Sequence, residues 1–242
     1  MAPNEVRRVD IWAQHFRSVF IPQIEVYASC LTKRLLPSFE DLDDQTDRIE
    51  QEEYERLYSS WHDDYPDPAS LTEQARNKAV DYMLTMRDIR QGLLNLFGAG
   101  LYHLFEQQLL LYHRRAILSR TEQNDPRLLK VDSVVKVLAE NGIDITSFAP
   151  WARLEELQCL ANAVKHADGR SAAKLRQKRP DLFCDPYSTK IGFPFVREII
   201  FQPLAGEGIY LNEVEFNRYV EEITAFWSEF GDRLIKSHRH DV

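Results

Sequence analysis

The chain is short of glycine, cysteine and long apolar runs, and each shortage argues against a class of fold. Nine glycines and eleven prolines in 242 residues are too few for the turns of a β-sandwich or barrel. Cys30, Cys159 and Cys184 are widely spaced, odd in number and form no C-x-x-C pair. They fit reduced thiols in a cytoplasm better than a disulfide framework. No stretch of 18 apolar residues occurs, and the opening MAPNEVRRVD has no apolar signal core, so neither a membrane span nor a secretory leader is expected. What is plentiful is leucine among Glu, Gln, Lys and Arg, the composition of helices. The expected fold is all-α: a single helical domain over 1–242, a bundle of about five to seven helices with a small β-hairpin excursion near 198–211.

The formal net charge of −8 is unevenly placed. Between Glu40 and Asp67 twelve acids face only Arg48 and Arg56, so this segment is an acidic patch and a candidate dock for a basic protein partner. Further on, Lys165, Arg170, Lys174, Arg176, Lys178 and Arg179 stand against Asp168 alone. Such a strip either meets phosphates or forms the solvated side of a surface helix.

Periodicity places the elements. Val9, Trp12, Phe16, Val19 and Phe20 give a first helix over 6–34, with Pro22 bending it and Leu35-Leu36-Pro37 ending it. Ile49, Tyr54, Leu57, Tyr58 and Trp61 give an amphipathic helix inside the acidic segment, followed by a loop over 63–68. Ser70 and Glu73 have capping-box spacing, which starts a helix at Leu71 that runs past Met86. A second long helix covers 87–120, and Gly98-Ala99-Gly100 marks a break or a tight crossing in it. A helix over 127–140 stops at Asn141-Gly142. Residues 198–202 and 209–211 flank Pro203 to Gly208 as a short hairpin. Residues from Asn212 or Asn217 to Lys236 close the chain as a helix, with His238 and His240 in a tail.

Two stretches carry chemistry. Residues 151–169, WARLEELQCLANAVKHADG, form the core helix 71–169 is built around. Leu154, Leu157, Leu160, Ala161 and Val164 make its apolar seam, and Glu155, Gln158 or Cys159, Asn162 and His166 run beside that seam. Gly169 is the expected left-handed stop. A histidine in the last turn is favoured as imidazolium by the helix dipole, which suits acid–base work or plain capping. The second stretch, LYHLFEQQLLLYH over 101–113, is apolar nearly all round and should be buried, yet carries His103, Glu106, Gln107 and His113. These form either a satisfied core group or part of a site. A single His-x-x-Glu falls short of a di-metal carboxylate set, so no metal is expected.

The string Ala161-Asn162-Ala163-Val164-Lys165-His166 resembles the Arg-Asn-x-x-x-His box of the HEPN superfamily. These are small helical-bundle proteins of toxin–antitoxin and anti-phage systems, many of them metal-independent endoribonucleases. The resemblance implies a homodimer whose boxes meet across a two-fold axis, RNA as partner and no cofactor. It gives Asn162 the task of orienting RNA or its partner His, and His166 that of acting on the ribose 2′-OH or the leaving oxygen, yielding a cyclic phosphate. Ala161 stands where the family has Arg, and loss of such a donor costs about 2.7–4 kcal/mol in transition-state stabilisation. Lys165, Arg153 or Arg170 would have to replace it. Glu106 and His103 are candidate supporting groups, with Glu106 fixing a histidine tautomer, and Lys174, Arg176, Lys178 and Arg179 are candidate RNA contacts.

Three readings follow: a HEPN-like ribonuclease or RNase toxin, a catalytically inactive helical dimerisation or interaction module of such a system, and a small-molecule or metal site at His103, Glu106 and His113.

Overall fold

The computed structural model describes residues 10–60, 67–190, 192 and 198–240, apart from the side chains of 238–240. The start of the expected first helix, Trp61, the loop residues 63–66 and the tail histidines' side chains therefore lie outside the described residues. Most of the described chain is helical. Helix α1 (Ile21–Cys30) lies between π-helical turns at Phe16–Phe20 and Leu31–Leu35. Pro22, expected to bend the chain, follows the first of these turns, where the wider π spacing carries the Ile21 N–H to the Phe16 carbonyl. The carboxamide of buried Gln108 donates to the Phe20 carbonyl at 3.1 Å, so the carbonyl at this irregular junction is paired.

Helix α2 (Leu42–Ser59) and helix α3 (Pro68–Tyr112) form an antiparallel hairpin. Helix α3 merges the two long helices expected on either side of residue 87 into one of 45 residues, about 67 Å long. Asp67, not Ser70, caps it, accepting from the Ala69 N–H at 3.1 Å, with Pro68 in the first turn. Near its middle the glycines mark tight crossings rather than a break. A Cβ on Gly98 would stand 2.6 Å from Leu211 Cδ2, and one on Gly100 2.1 Å from the Tyr27 hydroxyl. The first half of α3 packs Leu71, Ala75 and Ala79 toward α2, and the second half enters the core.

Helix α4 (Val131–Glu140) starts four residues later than expected, because Asp125 binds the Arg127 N–H and guanidinium in a turn of its own. It stops as expected: Gly142 has φ 81°, and the Ile143 N–H reaches the Leu138 carbonyl at 2.9 Å. Helix α5 (Trp151–His166) and helix α6 (Arg170–Lys178) pack side by side, and the short α7 (Pro186–Lys190) follows. Helix α8 (Glu213–His240) is capped by Asn212, whose side chain accepts from the Glu215 N–H at 2.9 Å. The core is aromatic. Phe16 and Phe20 meet Trp227 and Phe230, and Phe105, Tyr112 and Phe148 extend the same cluster.

The hairpin expected near 198–211 is absent: no β-strand occurs among the described residues. The backbone there finds partners on α3 instead. Buried Asn95 donates to the carbonyls of Pro203 and Ile209, each at 2.8 Å, and accepts from the Leu211 N–H at 3.4 Å. Gln91 donates to the Leu211 carbonyl at 2.9 Å. Gly92 lets this segment sit against the helix, since a Cβ there would stand 2.2 Å from the Leu204 carbonyl oxygen. With its polar groups taken by two side-chain amides, the chain has no need of a strand ladder.

Candidate functional site

The i, i+4 spacing of Asn162 and His166 puts both on the outer side of α5, while Leu157, Leu160, Ala161 and Val164 are buried. His166 and Lys165 are exposed and Asn162 is half-buried. Ala161 is 0 % exposed within the hydrophobic core. The box position that carries Arg in the resembling family therefore points inward here, away from the face that Asn162 and His166 share. The helix does not stop at Gly169, whose φ of 168° is ordinary extended backbone. It stops at Ala167, with φ 57° and ψ −134°, a conformation strained for any residue with a Cβ. This turn delivers Asp168, which accepts from the Ile200 N–H at 2.9 Å and lies 3.7 Å from Arg176.

Helix α6 brings two of the four expected RNA-contacting cations to the Asn162–His166 face. Lys178 lies 3.7 Å from Glu155, and Lys174 and Lys178 both act on the Cys159 thiol. Residues 155, 159, 162 and 166 share one stripe of α5, so these lysines run beside it with Arg170 at the turn. Burial raises the Cys159 thiol pKa in spite of both lysines.

Arg176 and Arg179 do not join that face. Arg176 stacks its guanidinium 4.5 Å from the Phe183 ring centre, beside Asp168. Arg179 is sequestered in an ion network that sequence reasoning missed. Its Nη1 donates to Glu156 at 2.8 Å and Glu215 at 2.6 Å, and its Nε and Nη2 hold Asp181 at 2.9 and 2.6 Å. Arg153 joins Glu156 at 2.8 Å, Arg218 joins Glu215, and the buried Tyr219 hydroxyl donates to Glu156 at 2.6 Å. Three carboxylates thus meet three guanidiniums. The Arg179 pKa is raised, first by Asp181 and then by both glutamates, and burial followed by the Glu156 carboxylate raises that of Tyr219. This network ties α5, the end of α6 and the start of α8 together and commits Arg179 to carboxylates. Its sequence signal was faint: Glu156 interrupts an otherwise apolar seam.

The polar stripe of 101–113 divides. His103 Nδ1 lies 3.1 Å from Glu106 in a half-exposed pair. Gly98 faces Leu160 and Tyr102 lies beside Gln158, so α3 and α5 run antiparallel. That register sets His166 level with the stretch around Leu93, about 20 Å along the axis from Glu106 at 1.5 Å per residue. Glu106 therefore orients His103, not His166. His113 is 0 % exposed and begins a π-helical turn, and neither ring nitrogen makes a hydrogen bond of ordinary geometry. Burial lowers its pKa against the opposing pull of the Leu128 carbonyl and Glu122. Ten residues, about 15 Å of helix, separate it from His103, and the two do not form one site. Among the described residues no three His, Cys, Asp or Glu side chains are grouped to hold a metal ion, and no helix is long and apolar enough to cross a membrane.

The larger hollows lie elsewhere. One of about 730 Å³ runs between Arg90, Cys184, Lys190 and Glu213, and an apolar one of about 470 Å³ between Ile89, Leu96 and Leu204. Compared with protein-family models, curated proteins and solved structures, the chain matches none.

Proposed function

We propose that this chain is a catalytically inactive, HEPN-like helical interaction module that holds RNA on its α5–α6 face without cleaving it. A defence or toxin–antitoxin system of the cytoplasm is the setting this resemblance suggests. The observation that carries the reading is the inward Ala161. Arginine at that position would bury a charge in hydrocarbon, so the cation that should stabilise a phosphorane has no place beside His166. Arg179 is committed to carboxylates and Glu106 lies at the other end of α5, so His166 gains neither an electrophile nor an orienting acid from these groups. What remains on the face is Asn162, Lys165, His166, Arg170, Lys174 and Lys178, with Glu155 beside Lys178. Lysines and arginine meet the backbone phosphates, and the amide and imidazole hydrogen-bond a base edge or a ribose 2′-OH.

The ribonuclease reading keeps one observation in its favour, half-buried Asn162 and exposed His166 one turn apart beside two lysines. One experiment separates the two. A labelled single-stranded RNA is incubated with protein in EDTA, with binding read by anisotropy and cleavage on a gel. The module reading expects salt-sensitive binding that Lys174→Glu weakens, and intact RNA. Cleavage lost in His166→Ala, with an unchanged melting temperature, would overturn it in favour of the enzyme.

A further inference from the structure

Helix α2 buries no residue, and its outward ridge carries Asp44, Asp47 and Glu55 with Arg48 among them, all exposed, across a span of about 16 Å. Tyr58 lies beside this ridge, 59 % exposed and stacked on Tyr54 at 6.4 Å between ring centres. A hollow of about 440 Å³ opens next to them between Asp47, Glu50, Tyr54 and Thr72. On α6 the exposed cations Arg170, Lys174 and Lys178 recur at i, i+4 and i+8, a ridge of about 12 Å. The α6 ridge is about three quarters as long as the α2 ridge, and the two are opposite in net sign.

They do not meet within one chain. Helix α2 packs on the stretch of α3 that holds Leu71, Ala75, Ala79 and Tyr82, whose hydroxyl binds Gln45 at 2.7 Å. Helix α5, with α6 on it, meets α3 at Gly98 and Tyr102, on a different face and several turns further along. The acids of one chain are thus held away from its own cations and free to find those of another.

We infer that the Asp44–Asp47–Glu55 ridge of α2, with Tyr54 and Tyr58, docks on the Arg170–Lys174–Lys178 ridge of α6 in a second copy of this chain. Opposed charges set the register and speed the encounter, and the tyrosines add apolar contact over the lysine stems. The inference rests on the reading of α6 as the RNA-holding face, and it gives that face a regulator, because the acidic arm and RNA compete for the same cations.

Sedimentation velocity on the full chain tests it, in low salt and at about 0.5 M, where charge interactions reach only a few ångström. Self-association at low salt that dissolves at high salt is the expected result. Asp44→Lys/Asp47→Lys/Glu55→Lys and Lys174→Glu/Lys178→Glu should each be monomeric alone and form a complex when mixed. The neutral set Asp44→Asn/Asp47→Asn/Glu55→Gln should also be monomeric, and should bind single-stranded RNA several-fold tighter than the parent. Wild-type protein that is monomeric at every salt, or charge-reversed variants that associate as wild type does, would overturn the docking. If the charge swap restores the complex but no variant binds RNA, the docking stands and the RNA-holding reading falls.

Discussion

Replacing Arg179 by methionine should cost far more than replacing any other cation of the basic strip, and the structure sets the size of the loss. Its guanidinium, 13 % exposed, bridges Glu156 and Glu215, each 8 % exposed at the side chain. Removing one partner of a buried ion pair typically costs about 3–5 kcal/mol, because the remaining charge is left without water or counter-ion. Here Arg153 still touches Glu156 and Arg218 still touches Glu215, so the loss belongs at the lower end, about 3 kcal/mol. For a chain of this size that lowers the melting temperature by roughly 6–12 °C. Lys174→Ala, on the open face, should change stability by no more than about 0.5 kcal/mol.

Urea denaturation at neutral pH measures both. Adding Glu156→Gln and Glu215→Gln to Arg179→Met should recover most of the loss, because the buried charges then disappear together. pH gives a second check. The Asp181 carboxyl is held below its ordinary range, chiefly by hydrogen bonds from Arg179. A depressed folded pKa adds stability above the ordinary carboxylate range and surrenders it as pH falls through the depressed value. The Arg179→Met variant should lose that acid-range dependence. A cost under about 1 kcal/mol, or a triple variant no more stable than the single one, would refute the account of the network as the joint between α5, α6 and α8.

Other perturbations are as specific. His113 is buried neutral with a lowered pKa, so wild-type stability should fall as pH drops below 6.5, where the unfolded imidazole takes a proton the folded one refuses. Replacing His113 by Phe should flatten that slope in urea titrations at pH 5 and 7, leaving the weaker contribution of His15, whose pKa is also lowered, by burial and then by Arg115. Gly92→Ala would press a Cβ to 2.2 Å from the Leu204 carbonyl oxygen and should destabilise by about 1–3 kcal/mol, with faster amide exchange over 203–211. Ala167→Gly should stabilise by roughly 1 kcal/mol, since glycine takes φ 57° without strain. An unchanged or lower melting temperature would mean that Ala167 is not strained.

Helices were legible because their signals are local. The seam of Leu154, Leu157 and Leu160, the Asn141-Gly142 stop and the apolar second half of α3 are written in spacing and turn chemistry alone. What escaped was set by contacts across the fold. The stretch from Pro203 to Leu211 carries hairpin-like residues, yet Asn95 and Gln91, more than a hundred positions earlier, supply its hydrogen bonds. The α5 stop passed from Gly169 to Ala167 because Asp168 is required at the Ile200 N–H. For Gly98 and Gly100 the spacing offers a break or a tight crossing, and only the fold, with Leu211 and Tyr27 in the space their side chains would fill, selects the crossing.

The basic strip shows why composition alone overstates a site. Lys174, Arg176, Lys178 and Arg179 are close in sequence, but helical geometry sends them to opposite sides of α6 and its end. Lys174 and Lys178 stay on the solvent side, one turn apart. Arg176 turns to Phe183, and Arg179 reaches the carboxylates of two other helices. The same sorting acts on the box in α5, where Asn162 and His166 project outward and Ala161, one position earlier and about 100° round the helix, enters the core. A charged group at 161 would have to leave hydrocarbon before it could reach the face that Asn162 and His166 share. Side-chain direction, set by backbone period and by which face the core claims, therefore decides which residues of the box share a surface.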